Sequence, residues 1–526
     1  MLSNRLQTFF AAAVVIVFAA VLVALMQLGP GFLDPDSFYH AKMAQMIMVQ
    51  GLPDTFPWLQ FATIRDAFVD QHVLYHYALI PFVWLWGMFT GTRIAAVVFA
   101  ALMAVALWWL MARRSPSISP WLAAAFAIVP WLTEPWLFRT SLAKAGPLAL
   151  LWLFLGWLAV EKKRPWWLAT VAIVYVLTHG GWLMLWVVTG VVLAVAVTTE
   201  WWQSPARSLL GWVKAWWQTD VRRLWLALVG GTAVGLIIHP HFPANLGFYW
   251  QQLVQIGMVN YQEVVRVGGE WKAYTFVDLV TLTPLVSALL LVMVVVWAVN
   301  GWKSKASWAS AILTVFFLLI TLKSRRYVEY YVPTAVTFIA SVLAPYLTVA
   351  KIKSAYQQWL KLSTLSVVGV CLLGAFWLAT SAALVATGWQ RNWQYSQSTE
   401  HAEAQFAGAA TWLAQHGRPG DIVFQTDWDE FPQLWYHNSR QYYVAGLDPT
   451  FMYLFSPELY GWYEQITLGH VGTHLAEQIK NQFGARYVFI NSQQNQDFLK
   501  FLQADPAAQL RYQDSEAMVF ELGTRD

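Results

Sequence analysis

The chain has 526 residues with 33 Lys and Arg against 29 Asp and Glu, a net charge of +4, and 12% charged residues against 58% hydrophobic. Soluble domains carry roughly 25% charged residues, so this composition, with 33 Trp along repeated apolar runs, excludes a wholly soluble protein. The weak charge without a basic patch excludes nucleic-acid binding, and the single cysteine, Cys371, excludes a disulfide framework.

The first run, FFAAAVVIVFAAVLVALMQL from Phe9 to Leu28, is long enough as a helix to cross one hydrocarbon thickness. It is long for a signal peptide, and Gly29 to Pro35 offers no small-residue cleavage site. Further spans are expected over 93–111, 120–133, 145–160, 166–178, 182–198, 224–238, 279–299, 306–321, 331–348 and 363–384. The basic connections ARRSPS (112–117), EKKRP (161–165), VRR (221–223), GWKSK (301–305) and AKIK (350–353) read as cytoplasmic by the Lys/Arg bias. The stretch 72–89 is then expected to lie at the outer interface or re-enter. This gives a polytopic α-helical membrane protein of about 11–13 spans, with a cytoplasmic N-terminus and everything after Thr387 outside.

That topology gathers the segments 29–71, 134–144, 178–180, 239–278 and 323–330 on the outer face. They hold nearly all the acids and histidines placed to work beside a membrane, whereas the mid-span segments are almost free of charge. The tail differs in pattern. HAEAQFAGAATWLAQHG reads as an amphipathic helix ended by Gly417, and DIVFQT and RYVFI read as short strands. The expected organisation is a transmembrane domain over 1–387 with chemistry on its outer loops, and a small outward-facing α/β domain over 388–526.

Directly after the first span comes GFLDPDSFYHAKMA, with Asp34, Asp36, His40 and Lys42 within nine residues. The pattern predicts a short interfacial helix in which Asp36 and His40 share a face, Asp36 being stabilised as a carboxylate at the helix start. A plainer reading has Asp34-Pro-Asp36-Ser cap that helix. Against it, a cap needs one carboxylate, and the same loop also supplies Asp66 and Asp70 beside His72 and His76. Ionisable groups at a bilayer edge point to function. Basic complements stand at Arg139 and Lys144 in LTEPWLFRTSLAKAGP and at Lys323, Arg325 and Arg326 in LKSRRYVEYYVP. Arginine forks match phosphate oxygens in pairs, so a phosphate-bearing lipid head is the expected partner, unless these cations only meet bulk phospholipid.

Histidines 179, 239 and 241 stand beside Gly and Pro at helix ends and are expected to satisfy turn backbone. In VFQTDWDEFPQLWYHN, Asp427 and Asp429 followed by aromatics suit carbohydrate recognition as well as an ordinary core turn.

DSFYHAK at 36–42 resembles the first outer-loop motif of the catalytic subunit of oligosaccharyltransferase, an aspartate followed by aromatics, a polar residue and a basic one. FRTSLAKAG at 138–146 is similar to the segment before that family's second acidic motif, and RRYVEYYVP at 325–333 resembles its Arg-aromatic…Pro segment. The larger class is the multi-spanning GT-C glycosyltransferases, which use polyprenyl-phosphate or polyprenyl-diphosphate sugars. The resemblance implies that Asp36 is the first-loop catalytic aspartate, holding a metal or orienting the acceptor, that Arg326 meets the donor phosphate, and that Arg139 precedes the second acidic site. The sequence departs from the pattern there: Lys144 stands near the acidic pair's place, leaving Glu134 as the substitute ligand. Glu263, Glu270 or Asp278 would supply the long loop's acid, with Glu270 preferred because glycines precede it. The Trp-Trp-Asp-Tyr-Gly peptide-acceptor segment is absent, which points away from a peptide acceptor.

The expected activity is transfer of a sugar or oligosaccharide from a polyprenyl-(di)phosphate donor to a saccharide, lipid or protein acceptor at the outer face of the cell inner membrane. Asp36 or Asp34 would act as base or metal ligand, with Lys144, Arg325 and Arg326 stabilising the departing phosphate. Mg²⁺ or Mn²⁺ would suit an oxygen-rich site built on Asp36 and Glu134; zinc on His40, His72 and His76 is the other metal reading. The competing class is a transporter or assembly factor for lipid-linked saccharides without bond chemistry.

Overall fold

Apolar runs without internal charge become helices here because a membrane-embedded backbone must satisfy its own hydrogen bonds. The computed structural model describes all residues except 1–3, 115–117, 204–207, 260, 301–304, 348–353, 355, 356, 358–363 and 524–526. Among the described residues six helices are long and apolar enough to cross a membrane: Arg5–Met26, Met88–Arg114, Gly180–Gln203, Lys305–Lys323, Arg325–Tyr346 and Cys371–Ser396. Two bent pairs, Pro120–Leu132 with Glu134–Ser141 and Phe276–Leu282 with Pro284–Val299, raise the number to eight if each is one span. Val73–Trp86, Gly146–Glu161 and Pro165–Thr178 are shorter apolar helices. The chain is a multi-pass helical membrane protein with a small C-terminal mixed sheet, as the sequence predicts. Parts of two basic connections, 115–117 and 301–304, and the whole of a third, 350–353, lie outside the described residues.

The bends have local causes. Prolines 130, 135 and 284 each sit where a helix restarts, and a proline ring removes the amide that would continue the helix before it. The resulting break at Thr133 lets Glu134–Ser141 turn by 89° from the preceding helix.

The chain divides into two compact units that do not follow chain order. The first comprises Met1–Gln27, Ala96–Ile238 and Glu270–Tyr395. In it Pro165–Thr178 packs against Thr219–Ile237, and Lys305–Lys323 against Val328–Leu343. Close approach of the first pair is set by small residues: a Cβ on Gly231 would stand 2.5 Å from the Ala169 carbonyl oxygen. The last long helix, Thr364–Ser396, exposes Leu372, Leu373 and Phe376, a lipid-facing surface in a membrane-spanning element. Trp166 and Arg164 are both exposed at the start of the helix Pro165–Thr178.

The second unit comprises Leu28–Ala95, His239–Gly269 and Ser396–Asp526. Its five-stranded sheet, β1 (Ile422–Gln425), β2 (Tyr442–Tyr443), β3 (Tyr487–Asn491), β4 (Ala508–Gln513) and β5 (Ala517–Leu522), has the order β2-β1-β3-β5-β4. β1 is parallel to β2 and β3, and β5 is antiparallel to β3 and β4. β3 is buried along its whole length, which is why VFI reads as an unbroken apolar run. The helix Ala407–His416 ends at Gly417 as its sequence predicts. The first loop joins this unit through backbone and rings: Leu59 forms a parallel bridge with Tyr443, and Trp435 lies 5.2 Å from Phe56 and 5.8 Å from Tyr39 between ring centroids.

Candidate functional site

In the second unit the helix Asp36–Gln50 begins at Asp36, and the Asp34 carboxylate accepts the Asp36 amide at 3.0 Å. Asp34 therefore does the local capping, and Asp36 sits half-exposed at a helix N-terminus, where the amide dipoles favour its ionised form. His40, one turn on, is buried, and Lys42 Nζ donates to Gln45 Oε1 at 3.3 Å. Burial pushes the Lys42 ammonium pKa down.

His40 belongs to a buried chain. Asp70 Oδ2 lies 2.7 Å from His76 Nδ1, and His76 Nε2 lies 2.8 Å from His40 Nδ1. The other Asp70 oxygen accepts the His72 amide at 2.9 Å. Burial pushes the Asp70 carboxyl up, but the charge and hydrogen bonds of His76 and His72 outweigh it and hold the group below the usual carboxylate range. Two further histidines clamp the Asp70 backbone. His241 Nδ1 accepts the Asp70 amide at 3.4 Å, and His239 Nε2 donates to the Asp70 carbonyl at 3.1 Å. His239 Nδ1 accepts the His241 amide at 3.2 Å, so its proton is on Nε2; His241 Nε2 likewise donates to the Pro53 carbonyl at 3.0 Å. Burial, with His241 adding to it, pushes the His239 pKa down, in keeping with a neutral ring. His179 accepts the Gly181 amide at 2.7 Å. His179 and one nitrogen of His239 satisfy turn backbone as expected, whereas His241 and the other nitrogen of His239 hold the distant backbone of Pro53 and Asp70.

In the first unit the cations and acids interlock. Arg139 Nη1 donates to Glu270 Oε2 at 2.5 Å, while its Nη2 donates to Glu329 Oε2 at 3.1 Å. Arg326 Nη1 stands 3.3 Å from Glu270 Oε1, with its guanidinium 4.8 Å from the Trp271 ring centroid. Burial pushes the Glu270 carboxyl up, yet Arg326, Arg139 and Lys144 together hold it well below the usual range. One carboxylate thus spans two arginine forks, the geometry those forks would give a phosphate. The loop is fixed by Ser324, whose hydroxyl donates to the Glu270 carbonyl at 3.0 Å. Arg325 points elsewhere: its Nε donates to the Ala273 carbonyl at 3.2 Å and its guanidinium lies 5.2 Å from the Tyr274 ring centroid. The structure brings Arg139, Glu270 and Arg326 together, with Lys144 close enough to act on Glu270, and turns Arg325 away from that group.

Glu134 opens the helix that carries Arg139, and both its oxygens accept from Arg391. A largely apolar pocket in the same unit is lined by Leu22, Leu25, Met26, Leu137, Trp389, Gln390 and Trp393. Leu137 is on the Arg139 helix, and Trp389 and Trp393 flank Arg391.

In the tail, Asp427 and Glu430 form a capping box around the turn Trp428–Glu430: Asp427 accepts the Asp429 amide at 3.2 Å, and Glu430 accepts the Asp427 amide at 3.0 Å and the Thr426 hydroxyl at 3.0 Å. Burial pushes the Asp427 carboxyl up; burial and the neighbouring Asp427 push Glu430 up to about 8. Sequence reading singled out Asp427 and Asp429 and missed Glu430, although Asp-x-x-Glu before an apolar run is the capping-box signal.

Metal binding needs several donors turned to one point. Among the described residues no group of three or more His, Cys, Asp or Glu is so placed. Glu134 is occupied by Arg391, and the ring nitrogens of His40 and His76 that face each other share a hydrogen bond. These residues do not fit the expected Mg²⁺ or Mn²⁺ site, nor the zinc site on His40, His72 and His76.

No protein-family model matches the chain, and no curated protein matches it. Solved structures do. The chain is similar to the Archaeoglobus fulgidus oligosaccharyltransferase in its apo form, with a TM-score of 0.62 and 11% identity over 98% of this chain and 75% of that one. It is similar to ArnT from Cupriavidus metallidurans bound to undecaprenyl phosphate, with a TM-score of 0.57 and 15% identity over 97% of both chains. It is also similar to the mycobacterial arabinofuranosyltransferase AftD, with a TM-score of 0.54 and 13% identity over all of this chain and 40% of that one. One structure of the archaeal enzyme is a complex with Zn and sulfate. The fold is therefore that of the GT-C glycosyltransferases.

Proposed function

We propose that this protein is a glycosyltransferase that moves a sugar or oligosaccharide from a polyprenyl-(di)phosphate donor to an acceptor at the outer face of the cell inner membrane. The observation that carries this reading is the Glu270 carboxylate held between Arg139 and Arg326. A bidentate anion site between two arginines is what a lipid phosphate requires. The fold supports it, since a neighbour was solved with undecaprenyl phosphate and the archaeal enzyme with a dolichol-phosphate.

In this reading the donor phosphate displaces Glu270 from Arg139 and Arg326, with Lys144 adding a third positive charge. The apolar pocket of Leu22, Leu137 and Trp393 suits a polyprenyl chain. Asp36 accepts a hydrogen bond from the acceptor hydroxyl and orients it. The acceptor oxygen then bonds to the anomeric carbon while the carbon–phosphate-oxygen bond breaks, and the arginines hold the charge that departs with the phosphate. Glu270, kept ionised by its cations, serves as their resident counter-ion and not as a base. Asp427 and Asp429 contribute to acceptor recognition through the turn they shape. Arg325, bound to its own loop, has a structural place.

The test is binding of undecaprenyl phosphate to the full chain in nanodiscs. Wild type is expected to bind it, and Arg326→Ala to lose at least roughly tenfold in affinity, about 1.4 kcal/mol. Equal affinity in the two proteins would overturn the assignment of the phosphate site.

A further inference from the structure

A helix that meets water on one side keeps its polar residues there and turns its apolar side to protein. In the second unit the helix Ala244–Trp250, which continues into Gln251–Val259, has the reverse arrangement. We propose that Phe242, Leu246 and Trp250 form a membrane anchor, dipping into the headgroup–acyl boundary of the bilayer and seating the first loop at that height. The inference goes beyond the transferase reading and does not depend on it.

The two sides of this segment are opposite in kind. Its exposed side carries Phe242, Pro243, Ala244, Leu246, Gly247 and Trp250, whose side chains hold no charge and no polar group but the Trp250 indole N–H. Phe242, Leu246 and Trp250 follow one another at intervals of four, the spacing of one helical stripe, and are exposed at 44%, 48% and 64%. The buried side carries His241, Asn245 and Tyr249, so the polar groups are the ones turned into protein. The wider sequence has the same character, with no Asp, Glu, Lys or Arg between Arg223 and Glu263. Contiguous exposed apolar side chains mark a contact surface. Tryptophan suits a bilayer interface in particular, with its ring among acyl chains and its N–H at the headgroups.

Continuity selects the bilayer as the partner. The chain enters the segment through Ile237 and Ile238, both exposed where the helix Thr219–Ile237 ends. In the second unit itself, the helix Val73–Trp86 exposes Tyr77, Trp84 and Leu85 and leads through Gly87 into the spanning helix Met88–Arg114, so an apolar face of this unit is already joined to a membrane element. The two faces are tied together, since His239 Nε2 donates to the carbonyl of Asp70, three residues before Val73, at 3.1 Å. The buried side is equally fixed. His241 Nε2 donates to the Pro53 carbonyl at 3.0 Å, Gln251 Nε2 donates to Thr63 Oγ1 at 2.8 Å, and Phe248 stacks on Phe451 with ring centroids 6.3 Å apart. One side of the segment therefore clamps the first loop and the tail, and the other rests that clamp on lipid.

The experiment is nitroxide spin labelling of the full chain, one copy per nanodisc, in a Cys371→Ser background, Cys371 being the only cysteine. Labels on Leu246→Cys and Trp250→Cys are compared with Leu373→Cys, on the exposed apolar surface of Thr364–Ser396, and with Lys500→Cys, exposed on the tail. Power saturation is read with oxygen, which concentrates in lipid, and with a neutral nickel chelate, which stays in water. Both labels are expected to follow Leu373→Cys in preferring oxygen, at a depth of about 5–10 Å into the headgroup–acyl boundary. Nickel access equal to that at Lys500→Cys would put the stripe in water, and shielding from both probes would put protein over it; either result would overturn the anchor. Leu246→Cys alone reads the same side if Trp250→Cys does not fold. The measurement needs no turnover, so failure of the transferase reading would leave its result standing.

Discussion

Arg139 holds Glu270 and Glu329 at once, through different nitrogens of one guanidinium, at 2.5 and 3.1 Å. The residues lie 131 and 190 positions apart, so this single side chain ties the turn Gly269–Trp271 and the helix Val328–Leu343 to the short helix Glu134–Ser141. Its removal has separable consequences for stability and for ligand binding.

Glu329 is buried, and without Arg139 it would be left as a buried charge. Arg139→Ala is therefore expected to destabilise the protein by about 3 kcal/mol, read as a lowered unfolding midpoint in detergent. The double variant Arg139→Ala/Glu329→Gln is expected to recover part of the loss, because the unpaired charge is gone.

Glu270 competes with the proposed ligand. Glu270→Gln removes the resident negative charge and leaves Arg139 and Arg326 in place, so undecaprenyl phosphate is expected to bind roughly tenfold more tightly. Transfer would then slow at product release. Weaker binding in Glu270→Gln would mean that the carboxylate builds the site and does not occupy it.

Glu430 makes stability fall with rising pH. Its carboxyl is pushed up to about 8 from an ordinary value of 4.5. Between these values the folded chain holds a proton that the unfolded chain has released, so stability drops as pH rises through the window and levels off above it. Glu430→Gln keeps an oxygen for the Asp427 amide and the Thr426 hydroxyl. It is expected to flatten this part of the pH dependence and to raise the midpoint at pH 9 relative to wild type, while changing little at pH 4.

Gly31 forms an antiparallel bridge with Ala402. A Cβ there would stand 1.9 Å from the His401 carbonyl oxygen, which backbone cannot yield cheaply. Gly31→Ala is expected to cost about 1–3 kcal/mol and to loosen the loop that leads into Asp36, measured as faster amide exchange over 31–40.

The helices were legible because membrane segments announce themselves by uninterrupted hydrophobicity, and Ala407–His416, β1 and β3 because amphipathic period and short apolar runs survive in a small domain. Asp34 and Asp36 at a helix start were legible from Asp-Pro-Asp-Ser. The grouping of 28–95 with the tail was not, since it rests on ring packing of Tyr39 and Phe56 against Trp435 across almost 400 residues of chain. The Asp70–His76–His40 line was hidden for the same reason: His40 and His76 are 36 positions apart, and only Asp70-x-His72-x3-His76 gave a local hint. Arg139, Glu270 and Arg326 were each singled out from sequence, but their mutual ion pairs depend on a loop whose path no periodicity encodes.

The central claim is transfer of a lipid-linked sugar. Its most direct test is turnover and product mass of lipid-linked saccharides in membranes holding wild type, Asp36→Asn or Arg326→Ala at equal protein levels. Transfer by wild type, lost in both variants, is the expected result. Unchanged lipid-linked saccharides in all three, in membranes that supply the native lipids, would contradict the account and favour transport or assembly without bond chemistry.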